Sequence, residues 1–207
     1  MEKKTEDVAE RIIRCARKEF LEKGFTKASL RVIASKADTT TGSIYSRFGG
    51  KEELYEAIVK PAADHVTRMF QDIQENFHQM EAVTQKEIMD DYTTSGMERM
   101  LDYIYDHFEE FRLLLASSQG SRLQDFVEHL VELETEYTCM FMKDMGMSTE
   151  NGIMTGDFMH IMNKALFESF FEVVRHNMPK EKAVCYIRML AKYHSAGWEA
   201  IFSMTNS

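Results

Sequence analysis

The sequence has little of what interrupts a helix, since only 2 prolines and 10 glycines occur in 207 residues. Apolar residues meanwhile recur at spacings of three and four residues almost throughout, which is the period of an amphipathic helix. A β-rich fold needs more turn-forming residues than this chain offers. We therefore expect an all-α protein.

Cysteine is also scarce, and Cys15, Cys139 and Cys185 lie far apart without a CxxC pair. Such spacing argues against a disulfide framework or a structural zinc site, and we expect buried free thiols. The 7 histidines show no H-E-x-x-H spacing, so we expect no metal and no cofactor. A phosphate-cradling glycine loop and a nucleophile with a base at recognisable spacing are also missing, so we do not expect an enzyme.

Long hydrophobic runs are missing too. No stretch approaches the roughly 18 uncharged apolar residues that a membrane-spanning helix needs. The chain opens MEKKTEDVAERIIR, which is charged and lacks the apolar run of a secretion signal. We expect a cytoplasmic protein with no membrane partner.

Charge is unevenly distributed along the chain. Residues 1–60 hold 13 Lys and Arg against 10 Asp and Glu, whereas residues 61–207 hold 12 against 24. A basic segment beside an acidic one is compatible with nucleic-acid contact confined to the amino-terminal part, because phosphate binding needs local positive charge.

The amino-terminal pattern predicts three short helices. An apolar stripe, Val8, Ile12, Ala16 and Phe20, predicts a helix over 6–23, which Gly24 ends. Ser29 is a plausible N-cap for a second helix that stops within 36–39, and a third helix begins near Thr40. Two amphipathic helices joined by a short turn form a helix-turn-helix.

The rest of the chain reads as longer helices. One runs from Lys51 to about Met80, with Pro61 either kinking it or opening a new segment. Capping boxes favour helix starts near Thr84 and Ser95. Further helices are expected at about 97–117, 122–145, 153–176 and 180–204.

The third helix has the residue types of a DNA-reading surface. Ile44 and Phe48 would point inward, which leaves small, hydroxyl-bearing and basic residues outside. Lys51 at the first turn of the next helix would favour a phosphate. The alternative is a capped, solvated helix that contacts no DNA. The candidate DNA contacts are Thr40, Thr41, Gly42, Ser43, Tyr45, Ser46, Arg47 and Lys51.

The stretch from Arg11 to Leu54 resembles the amino-terminal domain of TetR-type transcriptional regulators. The matching residues are "A..EF...GF..AS" from Ala16, "IA..A" from Ile33 and "TGSIYSRF..KEEL" from Thr41. The resemblance implies a helix-turn-helix DNA-binding domain over 1–50 and a larger helical ligand-binding and dimerisation domain over 51–207.

The resemblance also assigns roles to single positions. It places Arg31, Thr41, Gly42 and Ser43 at bases, and Thr40, Tyr45, Arg47 and Lys51 at the DNA backbone. It further implies a homodimeric repressor that a small-molecule effector releases from a double-stranded DNA operator.

Two short stretches depart from the family pattern. The usual Gly-Val-Ser turn is Asp38-Thr39-Thr40 here, and we expect Asp38 to adopt the turn and face solvent. Gly49-Gly50 is expected to loosen the junction to the next helix.

The larger part of the chain has the composition of an adaptable pocket. Fifteen of the 16 methionines follow residue 60, and Met and Phe suit a cavity for an apolar or amphipathic ligand. An ordinary Met-rich helical core is the alternative. The candidate ligand-binding residues are Met100, Tyr103, His107, Phe126, Met162 and Phe170.

The helices at about 153–176 and 180–204 are apolar around more than one face, so each is either central or shared with another chain. In the family that this chain resembles, such a pair forms the homodimer interface. A monomer that buries both faces internally is the alternative. For the chain as a whole, the competing hypothesis is a helical ligand-binding or adaptor protein whose helix-turn-helix does not recognise DNA.

Overall fold

A computed structural model describes residues 7–144, 146 and 155–205. Helices occupy most of these residues, and the described part contains no β-strand, as the sequence predicts. The helices are α1 (Val8–Lys27), α2 (Leu30–Lys36), α3 (Thr41–Phe48), α4 (Lys51–His78), α5 (Ala82–Asp106), α6 (Phe108–Ala116), α7 (Phe126–Asp144), α8 (Gly156–Arg175) and α9 (Lys180–Thr205).

The described residues fall into two compact units. The first contains the chain up to Asp64 together with His107–Phe126, and the second contains His65–Asp106 and the chain from Val127. Helix α4 contributes to both. The expected boundary at residue 50, between a DNA-binding domain and a ligand-binding domain, concerns function and stays a prediction.

The first unit packs α1 against α2 and α6, and α2 against α3. Its core contains apolar side chains that are wholly inaccessible to solvent, among them Ile12, Phe20, Ile33, Ile44 and Leu54. These residues recur at helical spacing in the sequence, so burial of one face of each helix explains why the predicted helices form.

Helix α1 changes direction at Gly24, where the backbone has φ 71° and ψ 163° before helical hydrogen bonding resumes as far as Lys27. Glycine tolerates this positive φ because it has no Cβ. The predicted end of the helix at Gly24 is thus a break within α1. Phe25 packs back onto α1, where its ring stacks on Phe20 with centroids 6.1 Å apart.

Helix α6 and the turn after it are bonded to the amino-terminal helices. The backbone N–H of Phe25 donates to the Ser117 carbonyl at 2.8 Å. The hydroxyl of the fully buried Tyr55 donates to the Leu113 carbonyl at 2.9 Å. Segment 107–126 is therefore part of the core of the first unit.

The structure decides between the two alternatives at Pro61 and contradicts the predicted helix start at Ser95. Helix α4 continues through Pro61, so no new segment opens there. Ser95 lies in the middle of α5 and begins no helix. The neighbouring Gly96 lets α5 approach α4, since a Cβ there would lie 3.2 Å from Ile73 Cγ2. The chain instead leaves helical geometry at His107, where φ is −124° and ψ is 36°, and this divides the predicted helix over 97–117.

The second unit packs α9 against α5 and α8. The Tyr105 hydroxyl donates to the Met178 carbonyl at 2.6 Å and the Tyr186 hydroxyl donates to the Ser169 carbonyl at 3.0 Å. Helices α7 and α8 begin at 126 and 156, a few residues later than expected. Residues 153 and 154 of the predicted α8 lie outside the described residues.

The cysteines differ in exposure. Cys15 is buried and Cys139 is half-buried, whereas Cys185 is exposed. The expectation of buried thiols is therefore wrong for Cys185, which lies on the solvent-facing side of α9.

Candidate functional site

The turn between α2 and α3 is a well-formed helix ending. The Thr39 N–H donates to the Ala34 carbonyl at 3.0 Å, and the Asp38 N–H donates to the Ser35 carbonyl at 3.3 Å. This is the hydrogen-bond pattern of a Schellman motif, which requires a left-handed residue. Asp38 supplies it with φ 50° and is exposed, so the expectation that Asp38 adopts the turn and faces solvent is confirmed.

Helix α3 begins with a side-chain cap. Thr40 Oγ1 accepts a hydrogen bond from the Ser43 N–H at 3.1 Å, which satisfies one of the amides left open at a helix start. Ile44 is wholly buried and anchors the helix in the first unit. The opposite face of α3 consequently points to solvent.

The predicted DNA contacts lie on exposed or partly exposed parts of α2, α3 and the start of α4. Tyr45 is 57% exposed, and Arg47 Nη1 donates to Ser43 Oγ at 2.7 Å. Exposed positions are Arg31, Thr40, Gly42, Tyr45, Ser46 and Arg47, and partly exposed positions are Thr41, Ser43 and Lys51.

Lys51 makes contacts inside the first unit that the sequence did not reveal. Its ammonium donates to the Thr26 carbonyl at 3.0 Å and lies 4.8 Å from the centroid of the Phe25 ring. Burial lowers the pKa of Lys51. Lys51 thus ties the start of α4 to the end of α1, in addition to its predicted contact with a phosphate.

The junction at Gly49-Gly50 is a defined turn. Gly49 has φ 99°, and its N–H donates to the Tyr45 carbonyl at 2.9 Å. The Gly50 carbonyl accepts from the Leu54 N–H at 3.1 Å. This pair closes α3 and opens α4 with hydrogen bonds on both sides, in place of the loosening that we expected.

Glu19 is a positioning residue that sequence reasoning missed. It is almost fully buried on α1, where its carboxylate accepts from the Ser29 N–H at 3.4 Å and from the Lys36 ammonium at 3.1 Å. The hydrogen bond that Lys36 donates to Glu19 raises the pKa of Lys36. Glu19 therefore holds both ends of α2. The signal in the sequence is an acid beside Phe20 on the apolar stripe of α1.

A second candidate site is a cavity of about 130 Å³ in the second unit. Helices α4, α5, α7, α8 and α9 all contribute to its wall. Most of the wall is apolar or aromatic, including Phe70, Phe77, Phe141, Phe167 and Trp198. This is the general character of a small-molecule site.

The cavity wall also contains a carboxyl group. Glu134 on α7 accepts a hydrogen bond from Gln74 Nε2 at 2.6 Å. Burial raises the pKa of Glu134 to about 8, because a desolvated carboxyl favours its neutral form. At neutral pH this wall therefore presents a largely uncharged carboxyl.

Two histidines face the same cavity. His194 Nε2 accepts a hydrogen bond from the Trp198 indole at 2.8 Å, and burial lowers the pKa of His194 to about 4. Burial also lowers the pKa of His78, whose Nδ1 is buried and has no hydrogen-bond partner within the described structure. Because desolvation disfavours the charged imidazolium, both rings are neutral near pH 7.

The predicted ligand-binding residues do not come together. Met100 and Phe170 line the cavity. Tyr103 stacks on His65 with ring centroids 4.2 Å apart, and His107 occupies the N-cap position of α6. Phe126 is buried in the first unit, and Met162 packs against the cluster of Met142, Met159 and Trp198.

Glu134 and Gln74 were missed because each stands in a charged stretch. A signal was present, however, since Glu134 lies four residues after Leu130 and seven before Phe141, both of which are buried. An acid in the middle of an apolar helical stripe indicates a buried carboxyl.

The comparison with known families decides the identity of the amino-terminal part. The family model described as "Bacterial regulatory proteins, tetR family" matches residues 12–58, which contain α2, α3 and the candidate DNA contacts. The amino-terminal part of this chain is similar to TetR-family regulators. No curated protein matches the sequence.

Solved structures with this fold extend the likeness in fold over most of the chain. A TetR-like transcriptional regulator from Rhodococcus sp. RHA1 has a TM-score of 0.59 and 17% identity, covering 92% of this chain and 96% of its own. FadR from Bacillus subtilis in complex with stearoyl-CoA has a TM-score of 0.56 and 11% identity, covering 89% and 96%. The fatty acid degradation regulator FadR from Bacillus halodurans has a TM-score of 0.53 and 14% identity, covering 93% and 96%. At these identities the likeness establishes the fold.

The described residues offer neither a cluster of metal ligands nor a membrane-spanning helix. They contain no group of three His, Cys, Asp or Glu side chains placed to hold a metal ion. No helix in the described ranges has the length and apolar character needed to cross a bilayer.

Proposed function

We propose that this protein is a homodimeric transcriptional repressor that leaves its DNA operator when a small apolar or amphipathic effector occupies the cavity of the second unit. It acts in the cytoplasm, where operator DNA is found, and it catalyses no reaction.

The exposed face of α3 carries the DNA-binding part of this proposal. A helix that enters a major groove needs small or hydrogen-bonding residues outside and an apolar anchor inside. Helix α3 offers Gly42, Ser43 and Arg47 to solvent while Ile44 is wholly buried. The hydroxyls and the guanidinium suit phosphates and base edges.

Exposed apolar side chains on α8 and α9 support the homodimer. Ile161 is 58% exposed, Met189 66% and Tyr193 80%. Met189 and Tyr193 are four residues apart, so they lie on the same face of α9. In a two-fold symmetric dimer, α8 and α9 would pack against their copies in the partner. This packing would cover large apolar side chains that otherwise face water. Tyr193→Lys should convert a dimer into a monomer in sedimentation velocity, whereas Lys192→Ala on the same helix should not.

The largely apolar cavity supports the binding of an effector. FadR from Bacillus subtilis, a protein with the same fold, was solved with stearoyl-CoA. We propose that the cavity of the present chain has the corresponding role for its own effector. Two α3 helices must stand about 34 to 36 Å apart to enter successive major grooves, and the effector would favour another separation.

Selection of bound fragments from a random DNA pool tests DNA recognition. We expect a two-fold symmetric motif at low and near-physiological salt. Failure to recover a motif at either salt from folded dimer would favour the alternative, a ligand-binding or adaptor protein whose helix-turn-helix does not read DNA. The exposed acid at Asp38 is the feature that favours this second reading.

A pair of arginine variants then tests the surface. Arg47→Ala should weaken binding to all sequences and reduce the slope of log affinity against log salt by about 1. Arg68→Ala removes the same charge from an exposed position of α4 in the second unit and should leave the slope unchanged. Equal slopes for the two variants would contradict the assignment of α3.

Distance measurements test the switch. A spin label at Lys18→Cys on the exposed side of α1, in a Cys185→Ser background, reports the separation of the two amino-terminal units in the dimer. Saturating effector should change that distance. An unchanged distance would mean that the effector does not act through the spacing of the recognition helices.

A further inference from the structure

We propose that the cavity of the second unit takes a lipophilic cation, such as an alkyl- or arylammonium compound, and that Glu134 meets its charge. The assignment rests on the proposed function only in taking this cavity as the effector site. It adds the chemical class of the effector.

The position of Glu134 is the first observation. Its carboxyl lines the cavity and accepts a hydrogen bond from the uncharged Gln74 amide at 2.6 Å. Within the described residues, no lysine or arginine lines the cavity and no basic side chain offsets the burial of Glu134. A buried carboxyl without a basic partner loses its hydration and has no counter-charge, so Glu134 is largely neutral near pH 7. A bound ammonium group would supply a counter-charge and favour the ionised carboxylate.

The histidines of the wall do not offset the acid. His194 and His78 are both neutral near pH 7, because burial lowers the pKa of each. His194 Nε2 also accepts the Trp198 indole hydrogen, so that nitrogen presents no proton to a ligand. An anionic head group would therefore meet a carboxyl and find no fixed positive charge in the described wall.

The aromatic rings of the wall suit a cation as well. Tyr92, Tyr137, Phe141 and Trp198 line the same cavity as Glu134. The face of an aromatic ring attracts a nearby ammonium group, and the attraction is strongest where water is excluded. The cavity volume of about 130 Å³ has room for on the order of ten non-hydrogen atoms. A single amine with a short apolar tail fits this description.

The competing account is structural: Glu134 is satisfied by Gln74 and the ligand's charge is irrelevant. The two accounts differ in what they predict for head groups on a common tail. If Glu134 recognises the charge of the ligand, an ammonium compound binds more tightly than the alcohol or the carboxylate of equal chain length. If Glu134 does not recognise it, the three compounds bind with equal affinity.

The experiment uses octylammonium, octanol and octanoate, each titrated into the full-length protein without DNA. Trp198 is the one tryptophan of the chain and lies in the cavity wall, so its fluorescence reports occupancy directly. We expect octylammonium to bind most tightly. Glu134→Gln should weaken octylammonium by about tenfold to a hundredfold, the range for a lost charged hydrogen bond, and should change octanol by less than about threefold.

A matched variant controls for the loss of a negative charge. Glu132→Gln removes a carboxylate from an exposed position of α7 and should leave all three affinities unchanged. Octanoate binding more tightly than octylammonium, equal affinities for the three head groups, or no binding of any of them would each overturn the assignment. The wild-type comparison decides this even if Glu134→Gln fails to fold.

Failure of this assignment and failure of the proposed function give different results. Trp198 fluorescence measures binding in the absence of DNA, whereas operator release is measured separately by fluorescence anisotropy of labelled DNA. Glu134-dependent binding of octylammonium with no effect on the DNA complex would support the cation site and contradict the release mechanism. Release of DNA by octanoate and not by octylammonium would do the reverse.

Discussion

Glu134 should make the stability of the ligand-free protein fall with rising pH, and Glu134→Gln should remove that fall. The unfolded chain releases the Glu134 proton near its ordinary pKa of 4.5, whereas the folded chain keeps it up to a pKa of about 8. The neutral carboxyl therefore contributes its full stability below pH 4.5, and this contribution is lost as the pH rises through about 8.

The size of the effect follows from the two pKa values. They differ by about 3.5, and each pH unit between them is worth about 1.4 kcal/mol, which gives a limit of about 5 kcal/mol. Glu134 is half-buried, so solvent screening reduces this limit. We therefore expect the ionised carboxylate to cost ~2–3 kcal/mol of stability at pH 8. Glutamine keeps an acceptor for the Gln74 amide but does not ionise.

Urea unfolding at pH 5, 6.5 and 8, at one fixed protein concentration, measures this difference. The free energy of unfolding of Glu134→Gln should exceed that of the wild type by little at pH 5 and by ~2–3 kcal/mol at pH 8. Glu132→Gln should show no gap that grows with pH. A constant gap across this range, or a wild type that is the more stable protein at pH 8, would refute the placement of Glu134 in a desolvated wall.

Two further predictions concern segment 107–126. Tyr55→Phe removes the hydroxyl that donates to the buried Leu113 carbonyl and should lower the free energy of unfolding by about 1–2 kcal/mol in urea; an unchanged value would mean that the bond adds nothing. Gly120→Ala should lower the melting temperature, because Gly120 has φ 85° and a Cβ there would lie 2.8 Å from Thr26 Oγ1. Gly156→Ala, where no atom lies within 4 Å, should not lower it, so equal losses for both glycine variants would contradict this explanation.

Much of the fold was predictable because burial follows local periodicity. Ile12, Ala16 and Phe20 recur every fourth residue along α1, and all three are wholly buried. The errors arose where a local signal competed with tertiary contacts. The capping box at Ser95 resembles a helix start, yet α5 continues through it because Gly96 lets the helix pack closely on α4.

The two candidate sites differ in how far the sequence predicts them. The DNA-reading surface lies within one continuous stretch, so its residue types and spacing describe it. The cavity is assembled from five helices that are distant in the sequence, and no pattern within one helix shows which side chains converge. Tyr103 and His107 share a helix face in the sequence, but the helix breaks at His107 and only Met100 and Phe170 of the candidates line the cavity.

The bonding of segment 107–126 to the amino-terminal helices limits how this protein can be taken apart. A fragment that ends at residue 50 keeps the Phe25 N–H and the Thr26 carbonyl but lacks their partners, the Ser117 carbonyl and the Lys51 ammonium. A hybrid regulator with a different sensor therefore needs three junctions, one after Asp64, one before His107 and one after Phe126. The replacement sensor would consist of two pieces, one inserted in place of His65–Asp106 and one in place of the chain from Val127. A fusion of two consecutive halves would not preserve the unit that carries α3.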